Sequence, residues 1–253
     1  MSWLGEERSS AHIVLFWIAN RLTSPWGKHS PVDIESYRRT HRSEGDAYVN
    51  DVEQVMPVVA IRDPAVWMSS MCRHEYSMNW PHDDARHCPN LVPNQVDIEI
   101  DPLLQNKKSI PVHINYSGDV TRRHDSLVHH WNEWYNSYYN ALYPRLIVRF
   151  EDVVFHPQEV VKRVCECAGG ALQNHKFKFV IDSAKHGEAH GAAEEKTGYL
   201  RAIIKYGSDQ ERWKGMTKED LSFAKTNLDP QLMRTFGYLS PPILESSGQS
   251  ATE

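Results

Sequence analysis

The stretch that decides the fold is residues 55–76, Val-Met-Pro-Val-Val-Ala-Ile-Arg-Asp-Pro-Ala-Val-Trp-Met-Ser-Ser-Met-Cys-Arg-His-Glu-Tyr. Residues 58–61 are apolar and largely β-branched, which is typical of a strand buried on both faces in a parallel sheet. Asp63 and Pro64 then predict a helix start, because an aspartate caps free N–H groups and a proline is tolerated at the first helical position. The apolar residues that follow predict a helix over 65–73, packed on the sheet.

This strand, turn and helix predict where two polar side chains lie. Arg62 stands at the carboxyl end of the strand, and Ser70 lies two turns into the helix. Ligands of open α/β sheets bind at that end of the strands, and a guanidinium beside a hydroxyl is a good receptor for a phosphate group. The alternative is a structural role, in which Arg62 forms a salt bridge with Asp63 or with a neighbouring helix.

Length and composition favour one α/β domain. The chain has 253 residues, 40% of them hydrophobic and 24% charged, which is ordinary for a globular protein with a sizeable core. A net charge of -5 argues against a nucleic-acid-binding domain, because such domains need a basic face. The longest apolar run, residues 13–19, is far too short to cross a membrane. We therefore expect neither a nucleic-acid partner nor a membrane segment in this chain.

The central motif resembles one of the PAPS-dependent sulfotransferases. Arg-Asp-Pro followed by a serine eight residues after the arginine is similar to the family's 3′-phosphate motif. The resemblance implies that Arg62 and Ser70 bind the 3′-phosphate of the sulfate donor, with Ser69 as a close alternative.

The beginning of the chain resembles the family's donor loop in part. Residues 4–12 read Leu-Gly-Glu-Glu-Arg-Ser-Ser-Ala-His, where one group of the family has Leu-Gly-Glu-Arg-Asn-Ser-Gly-Thr-Thr in the loop that cradles the 5′-phosphosulfate. The resemblance leaves three residues to bind the 5′-phosphosulfate, Arg8, Ser9 and Ser10. The alternative is that Ser9 or Ser10 only caps the start of a helix. Few residues precede Gly5, so a truncated first strand is one interpretation.

A basic residue and a histidine precede the central motif. In Lys28-His29-Ser30-Pro31, the His-Ser-Pro is similar to a His-x-Pro segment that carries the catalytic pair of sulfotransferases. An imidazole titrates near neutrality and suits the removal of a proton from an acceptor hydroxyl. The resemblance implies that His29 is the base and Lys28 the cation that stabilises the leaving phosphate; the alternative is a structural histidine.

Three later motifs follow in the family's order. The run 145–150 predicts a second buried strand, and Phe150-Glu151-Asp152 resembles the Tyr-Glu-Asp that ends such a strand in the family. Lys196, Thr197 and Gly198 are similar to a late loop that closes on the 3′-phosphate. Residues 236–238, Phe-Gly-Tyr, resemble the end of many sulfotransferase domains.

The resemblance as a whole implies a three-layer α/β fold of the P-loop NTPase type with a central parallel sheet. It implies one domain over residues 1–239, followed by a disordered tail over 240–253. The implied reaction transfers a sulfuryl group from PAPS, without a metal, to a hydroxyl or amine of an acceptor such as a carbohydrate. Many members of the family lie in the Golgi lumen and are anchored by a segment upstream of the domain. The resemblance implies the Golgi lumen if such a segment is missing from this sequence, and the cytoplasm otherwise.

Two other functions remain as alternatives. The altered donor loop favours a catalytically impaired relative that binds a nucleotide or a glycan without transfer. A P-loop kinase lacks support, because the chain has no Gly-Lys-Ser/Thr and no clear pattern of Mg²⁺-binding carboxylates.

The segment between residues 72 and 90 allows two interpretations. Its cysteines and histidines suggest zinc, but their spacing fits no well-defined zinc pattern. A loop lining an acceptor site is the other interpretation, with a disulfide between Cys72 and Cys88 if the protein is luminal. Tyr76 and Trp80 in this segment suit a hydroxylated acceptor such as a sugar.

The remaining patterns predict secondary structure. They are a β-like run at 110–116, an aromatic-rich helix over 125–143, a helix over 157–168, and a capping box at 217–220 that starts the last long helix.

Overall fold

The computed structural model describes residues 58–73, 78–79, 88–116, 120–142, 144–167, 177 and 199–242. It is a mixed α/β structure, as the sequence predicts. Contacts divide the chain into two units. Unit 1 comprises Met1–Asp63 and Trp134–Arg212, and unit 2 comprises Pro64–Glu133 and Trp213–Glu253. Among the described helices, none combines the length and hydrophobicity that a membrane crossing needs.

The described part of unit 1 contains two parallel strands. Strand β1 (Val58–Ile61) pairs with β5 (Leu146–Arg149), and the register joins Val58 to Leu146 and Ile61 to Arg149. Three valines form the buried core beside this pair, Val148, Val153 and Val160. The helices of unit 1 in the described ranges are α4 (Phe150–Phe155), α5 (Pro157–Cys167), α6 (Tyr199–Gly207) and α7 (Asp209–Arg212).

The two predicted strands differ from expectation in burial and length. In β1, Val59 and Ile61 are buried whereas Val58 and Ala60 are partly exposed, so the strand is not buried on both faces. This alternation is typical of a strand with one well-covered face. The second strand ends at Arg149, because Phe150 already begins α4.

Unit 2 combines helices with an antiparallel sheet. Helix α1 (Pro64–Arg73) starts where the sequence predicts, and a three-stranded sheet has the order β2 (Met78–Asn79), β3 (Val112–Tyr116), β4 (Val120–His124). Short helix α2 (Gln95–Ile100) precedes a 3-10 turn (Pro102–Leu104). Two helices close the described chain, α8 (Lys218–Asn227) and α9 (Pro230–Thr235). Ala65 of α1 lies in a core cluster with Trp213 and Leu221.

Helix α3 (Leu127–Tyr139) is shorter than the 125–143 that the sequence predicts. At its start, the Ser126 hydroxyl accepts from the N–H of His129 at 3.3 Å, which caps the helix. After its end, the Arg145 guanidinium donates to the carbonyls of Tyr139 and Ala141. Because side chains satisfy these backbone groups, the helix ends earlier than its aromatic pattern indicates.

The Phe-Gly-Tyr motif, residues 236–238, lies at the end of α9 and has a structural role there. Gly237 has a φ of 63°, the left-handed conformation in which glycine is favoured. The N–H of Gly237 donates to the carbonyl of Arg234 at 3.2 Å, and the N–H of Tyr238 donates to that of Met233 at 2.9 Å. This is a Schellman motif, and it stops the helix.

Candidate functional site

Arg62 follows the last residue of β1, at the carboxyl end of the parallel pair. Its Nε donates to the hydroxyl of Tyr206 on α6. The guanidinium carbon lies 4.9 Å from the centre of the Phe150 ring and 5.4 Å from that of the Tyr206 ring. Both distances are in the range of a cation–π contact. The guanidinium is therefore held in one orientation by two aromatic residues.

The electrostatic environment keeps this arginine charged. Burial alone would lower the pKa of Arg62, but the Tyr206 hydroxyl and the Glu151 carboxylate raise it above its ordinary value. Burial also raises the pKa of the Tyr206 hydroxyl, to about 12, so this group stays neutral. The contact is thus one between a cation and a neutral phenol, and it needs no change of protonation near neutrality.

The chain next to Arg62 is fixed by polar contacts within unit 1. Asp63 is completely buried; its N–H donates to Glu151 Oε1 at 2.9 Å, and its carboxylate accepts from Arg212 at 3.2 Å. On the other side, the Tyr135 hydroxyl donates to the carbonyl of Ala60 at 3.3 Å. These bonds hold the end of β1 in place.

The register of the sheet explains part of this arrangement. Ile61 is opposite Arg149, so the residues that follow the two strands, Arg62 and Phe150, emerge side by side. The sequence motif at Phe150 and Glu151 therefore marks residues that contact or neighbour Arg62. The alternative of a salt bridge from Arg62 to Asp63 or to a neighbouring helix stays a prediction. The contact that the structure gives with a helix is the hydrogen bond to the Tyr206 hydroxyl, and the Asp63 carboxylate forms an ion pair with Arg212.

Sequence reasoning missed Tyr206 and Arg212. Tyr206 is 144 residues from Arg62, and no local pattern marks it. The amphipathic spacing of residues 199–207 would have indicated a helix with one buried face, but not what that face contacts.

Ser70 lies on α1, which belongs to unit 2, and its side chain is partly exposed. Ser69, the alternative phosphate ligand, is buried, and its hydroxyl has no hydrogen-bond partner in the described structure. Because Arg62 belongs to unit 1, the pairing of Arg62 with either serine stays a prediction.

The other residues predicted for the site lie outside the described residues. They are the catalytic pair Lys28 and His29, the donor-loop residues Arg8, Ser9 and Ser10, and the late-loop residues Lys196, Thr197 and Gly198. Their roles stay predictions.

Cys72 and Cys88 form a disulfide, with their Cα atoms 5.4 Å apart. Both thiols of the zinc alternative are therefore bonded to each other and are not available as thiolate ligands. Within the described ranges, no group of three or more histidines, cysteines or acidic residues could hold a metal ion. Arg62 is the predicted donor-binding residue whose surroundings the structure defines best.

Comparison of this chain with protein-family models, with curated proteins and with solved structures finds no match.

Proposed function

We propose that this protein is a PAPS-dependent sulfotransferase that transfers a sulfuryl group to a hydroxyl or amine of an acceptor, such as a carbohydrate. The observation that carries the proposal is the position of Arg62. A guanidinium at the carboxyl end of a parallel strand, held by Tyr206 and Phe150, suits the binding of a phosphate group. The order of the sequence motifs supplies the donor's identity.

The proposed reaction is an in-line displacement at sulfur. The acceptor oxygen or nitrogen forms a bond to sulfur while the bond from sulfur to the bridging phosphate oxygen of PAPS breaks. His29 takes the acceptor's proton, and Lys28 neutralises the charge that develops on the departing phosphate. As in phosphoryl transfer, the protein contributes by positioning the reactants and stabilising charge. Lys196 and Ser70 are assigned to the 3′-phosphate by their motifs alone.

The finer fold proposed with this function is the three-layer P-loop type. In it, β1 and β5 belong to a larger central parallel sheet with helices on both faces. The parallel pairing of two strands that are far apart in sequence supports this, because such pairs need long crossover connections.

A protein that binds a nucleotide or a glycan without transferring a group is the second candidate. Its support is the donor loop, in which Ser10, Ala11 and His12 stand where the family has Gly-Thr-Thr. Loss of the glycine and both threonines removes backbone freedom and hydroxyl donors from the 5′ side. Binding at Arg62 is expected for both candidates.

A transfer assay with the variant His29→Ala tests the catalytic proposal. We expect the wild-type chain to transfer labelled sulfuryl from PAPS to a hydroxylated acceptor from a saccharide panel. The variant should lose roughly 10²- to 10⁴-fold in rate, because a general base contributes about that much. His156→Ala, which changes an exposed histidine, is the matched control and should keep the wild-type rate.

Equal turnover by wild type and His29→Ala would remove His29 from the mechanism. If the wild-type chain binds the desulfated donor PAP but transfers nothing across the panel, the second candidate is correct and the enzyme proposal is wrong.

A further inference from the structure

Unit 2 contains a cavity of about 300 Å³, and the described residues that line it are not among those assigned to sulfuryl transfer. This volume is at the lower end of the range of ligand sites in proteins. Its lining comes from the segment before β3, from β4, from the start of α3 and from α8. The cavity is therefore formed by several elements and is not a groove along a single helix.

The described lining residues of this cavity include three cations, Lys107, Lys108 and Arg123. Asp125 is the acidic residue among the described lining residues, so positive charges outnumber negative ones within that set. The whole chain carries a net charge of -5, and the excess is thus opposite in sign to that of the protein. A concave surface with such an excess attracts anions and concentrates them.

Helix α8 contributes two residues to the lining: Phe223, which forms an aromatic wall, and the polar Asn227. Phe223 and Asn227 are four residues apart and so lie on one face of the helix. The Phe223 ring is tilted against that of His129, with ring centres 6.2 Å apart. His129 is itself held by the Ser126 hydroxyl at 2.8 Å from its Nδ1. The aromatic wall is fixed by these contacts.

Two polar residues of the lining, Asn227 and Ser109, can accept hydrogen bonds from a ligand. The Asn227 amide nitrogen donates to the carbonyl of Phe223 at 2.8 Å, which leaves its side-chain oxygen to accept from a ligand. The Ser109 hydroxyl donates to the carbonyl of Asp125 at 2.8 Å, and its oxygen can accept as well. A simple oxyanion would use only the cations. A ligand with several hydroxyl groups and one acidic group would contact both the cations and the acceptor oxygens of Asn227 and Ser109.

We propose that this cavity binds a saccharide that carries a sulfate or carboxylate group. The acidic group is placed among Lys107, Lys108 and Arg123, a sugar face packs on Phe223, and sugar hydroxyls donate to Asn227 and Ser109. The proposal does not rest on sulfuryl transfer, because none of these residues has a role in it. It can fail while the proposed function holds, and the reverse is also true.

Isothermal titration calorimetry of the full chain with a sulfated glycosaminoglycan disaccharide tests the proposal. We expect binding that weakens with added salt, and much weaker binding of neutral lactose and of inorganic sulfate. Lys107→Gln together with Lys108→Gln should lower the affinity at least about fivefold, as for the loss of two exposed charge pairs. Lys218→Gln together with Lys225→Gln removes two exposed positive charges outside the lining and should change the affinity less than about twofold.

The aromatic wall has a test of its own. Phe223→Leu should weaken disaccharide binding about threefold or more, because the aromatic face is lost, and leave sulfate binding unchanged. Because Phe223 is partly buried, its substitution also affects packing, so a second measurement uses the wild-type protein. The bound disaccharide should protect Lys107 and Lys108, but not Lys218, from acetylation.

Two calorimetric results would overturn the proposal: equal affinity for sulfate and the disaccharide, or equal losses in the two lysine pairs. Absence of lysine protection at saturating disaccharide would overturn it as well.

Discussion

Arg62 shows how a single cation is kept at a strand end. A partly buried guanidinium loses hydration, and this costs free energy unless other groups replace the water. Here the Tyr206 hydroxyl accepts from Nε, Phe150 offers its ring face, and the Glu151 carboxylate supplies negative charge nearby. The side chain is therefore ordered before any ligand arrives, which lowers the entropic cost of binding one.

His130 and His124 form a second group of ionisable residues, in unit 2. Both are buried, their ring centres are 4.5 Å apart, and His130 also contacts Trp67 with ring centres at 5.3 Å. Burial, together with a smaller contribution from the nearby His124, lowers the pKa of His130 to about 3. Burial also lowers the pKa of His124, although Glu133, at 2.8 Å from its Nδ1, opposes this.

We predict that this pair makes the protein less stable in mild acid. Below pH 6.5 the unfolded chain binds protons at these histidines, whereas folded His130 stays neutral until about pH 3. The free energy of unfolding should therefore fall with pH through this window, by about 1 kcal/mol between pH 6.5 and 5.5 for His130 alone. Urea unfolding at a series of pH values measures this.

The variant His130→Phe keeps a ring beside Trp67 and cannot titrate, so its stability should depend less on pH. His113→Gln changes an exposed histidine and should leave the dependence as it is in the wild type. Equal dependence in the wild type and in His130→Phe would contradict the role of His130.

At the level of single residues, sequence reasoning predicted the position of Arg62 but not the side chains that contact it. A strand followed by Arg-Asp-Pro predicts a cation at the strand end, because the evidence for it is local. Phe150 and Glu151 were marked by their resemblance to the Tyr-Glu-Asp that ends such a strand in the family. Tyr206 and Arg212 were missed because nothing in residues 199–212 indicates which neighbours that segment has in the fold.

Among the elements, helix α8 depends on one buried carboxylate. Asp220 forms the predicted capping box with Thr217, in which each side chain accepts from the other residue's N–H. The same carboxylate accepts from the N–H groups of Leu91 at 2.8 Å and Val92 at 3.1 Å. A single side chain thus caps the helix and fixes the loop that follows the disulfide.

We predict that Asp220→Asn destabilises the protein by about 1–3 kcal/mol, because an amide has one acceptor oxygen and no charge for three N–H groups. Glu219→Gln is the control: it removes the same charge from the neighbouring exposed residue and should cost less than about 0.5 kcal/mol. Denaturant unfolding of both variants measures the difference, and equal losses would show that Asp220 serves only as a general charge at the helix start.

The elements that the sequence predicted best are those with local start signals. Helix α1 begins at Pro64 and α8 after Thr217, each at its predicted residue, and the run at 110–116 contains β3. Strand β4 was missed because its sequence is largely polar, Val-Thr-Arg-Arg-His, and it is defined by pairing with β3 rather than by an apolar pattern. Helix α5 is described over Pro157–Cys167, within the predicted range 157–168.

For the whole molecule, the α/β class follows from the sequence and the layer arrangement stays a prediction. The described residues contain one parallel pair, β1–β5, and a larger central sheet stays a prediction. The antiparallel sheet β2-β3-β4 was not predicted, because its pairing joins segments whose sequences carry no common signal. The single domain over 1–239 and the tail also stay predictions.

The central claim is that Arg62 binds the 3′-phosphate of a PAPS-like nucleotide, and calorimetry tests it most directly. We predict micromolar binding of PAP, adenosine 3′,5′-bisphosphate, and weaker binding of adenosine 5′-monophosphate, which lacks the 3′-phosphate. Arg62→Gln should weaken PAP binding roughly 10- to 100-fold, as for the loss of a hydrogen bond between charged groups, and leave the monophosphate nearly unchanged. Arg163→Gln, an exposed arginine of α5, is the control.

Thermal unfolding of each variant establishes first that it is folded. If PAP binds tightly to the wild type and Arg163→Gln but weakly to Arg62→Gln, the account holds. If PAP does not bind at micromolar concentrations, or if Arg62→Gln and Arg163→Gln bind it equally, the account is wrong.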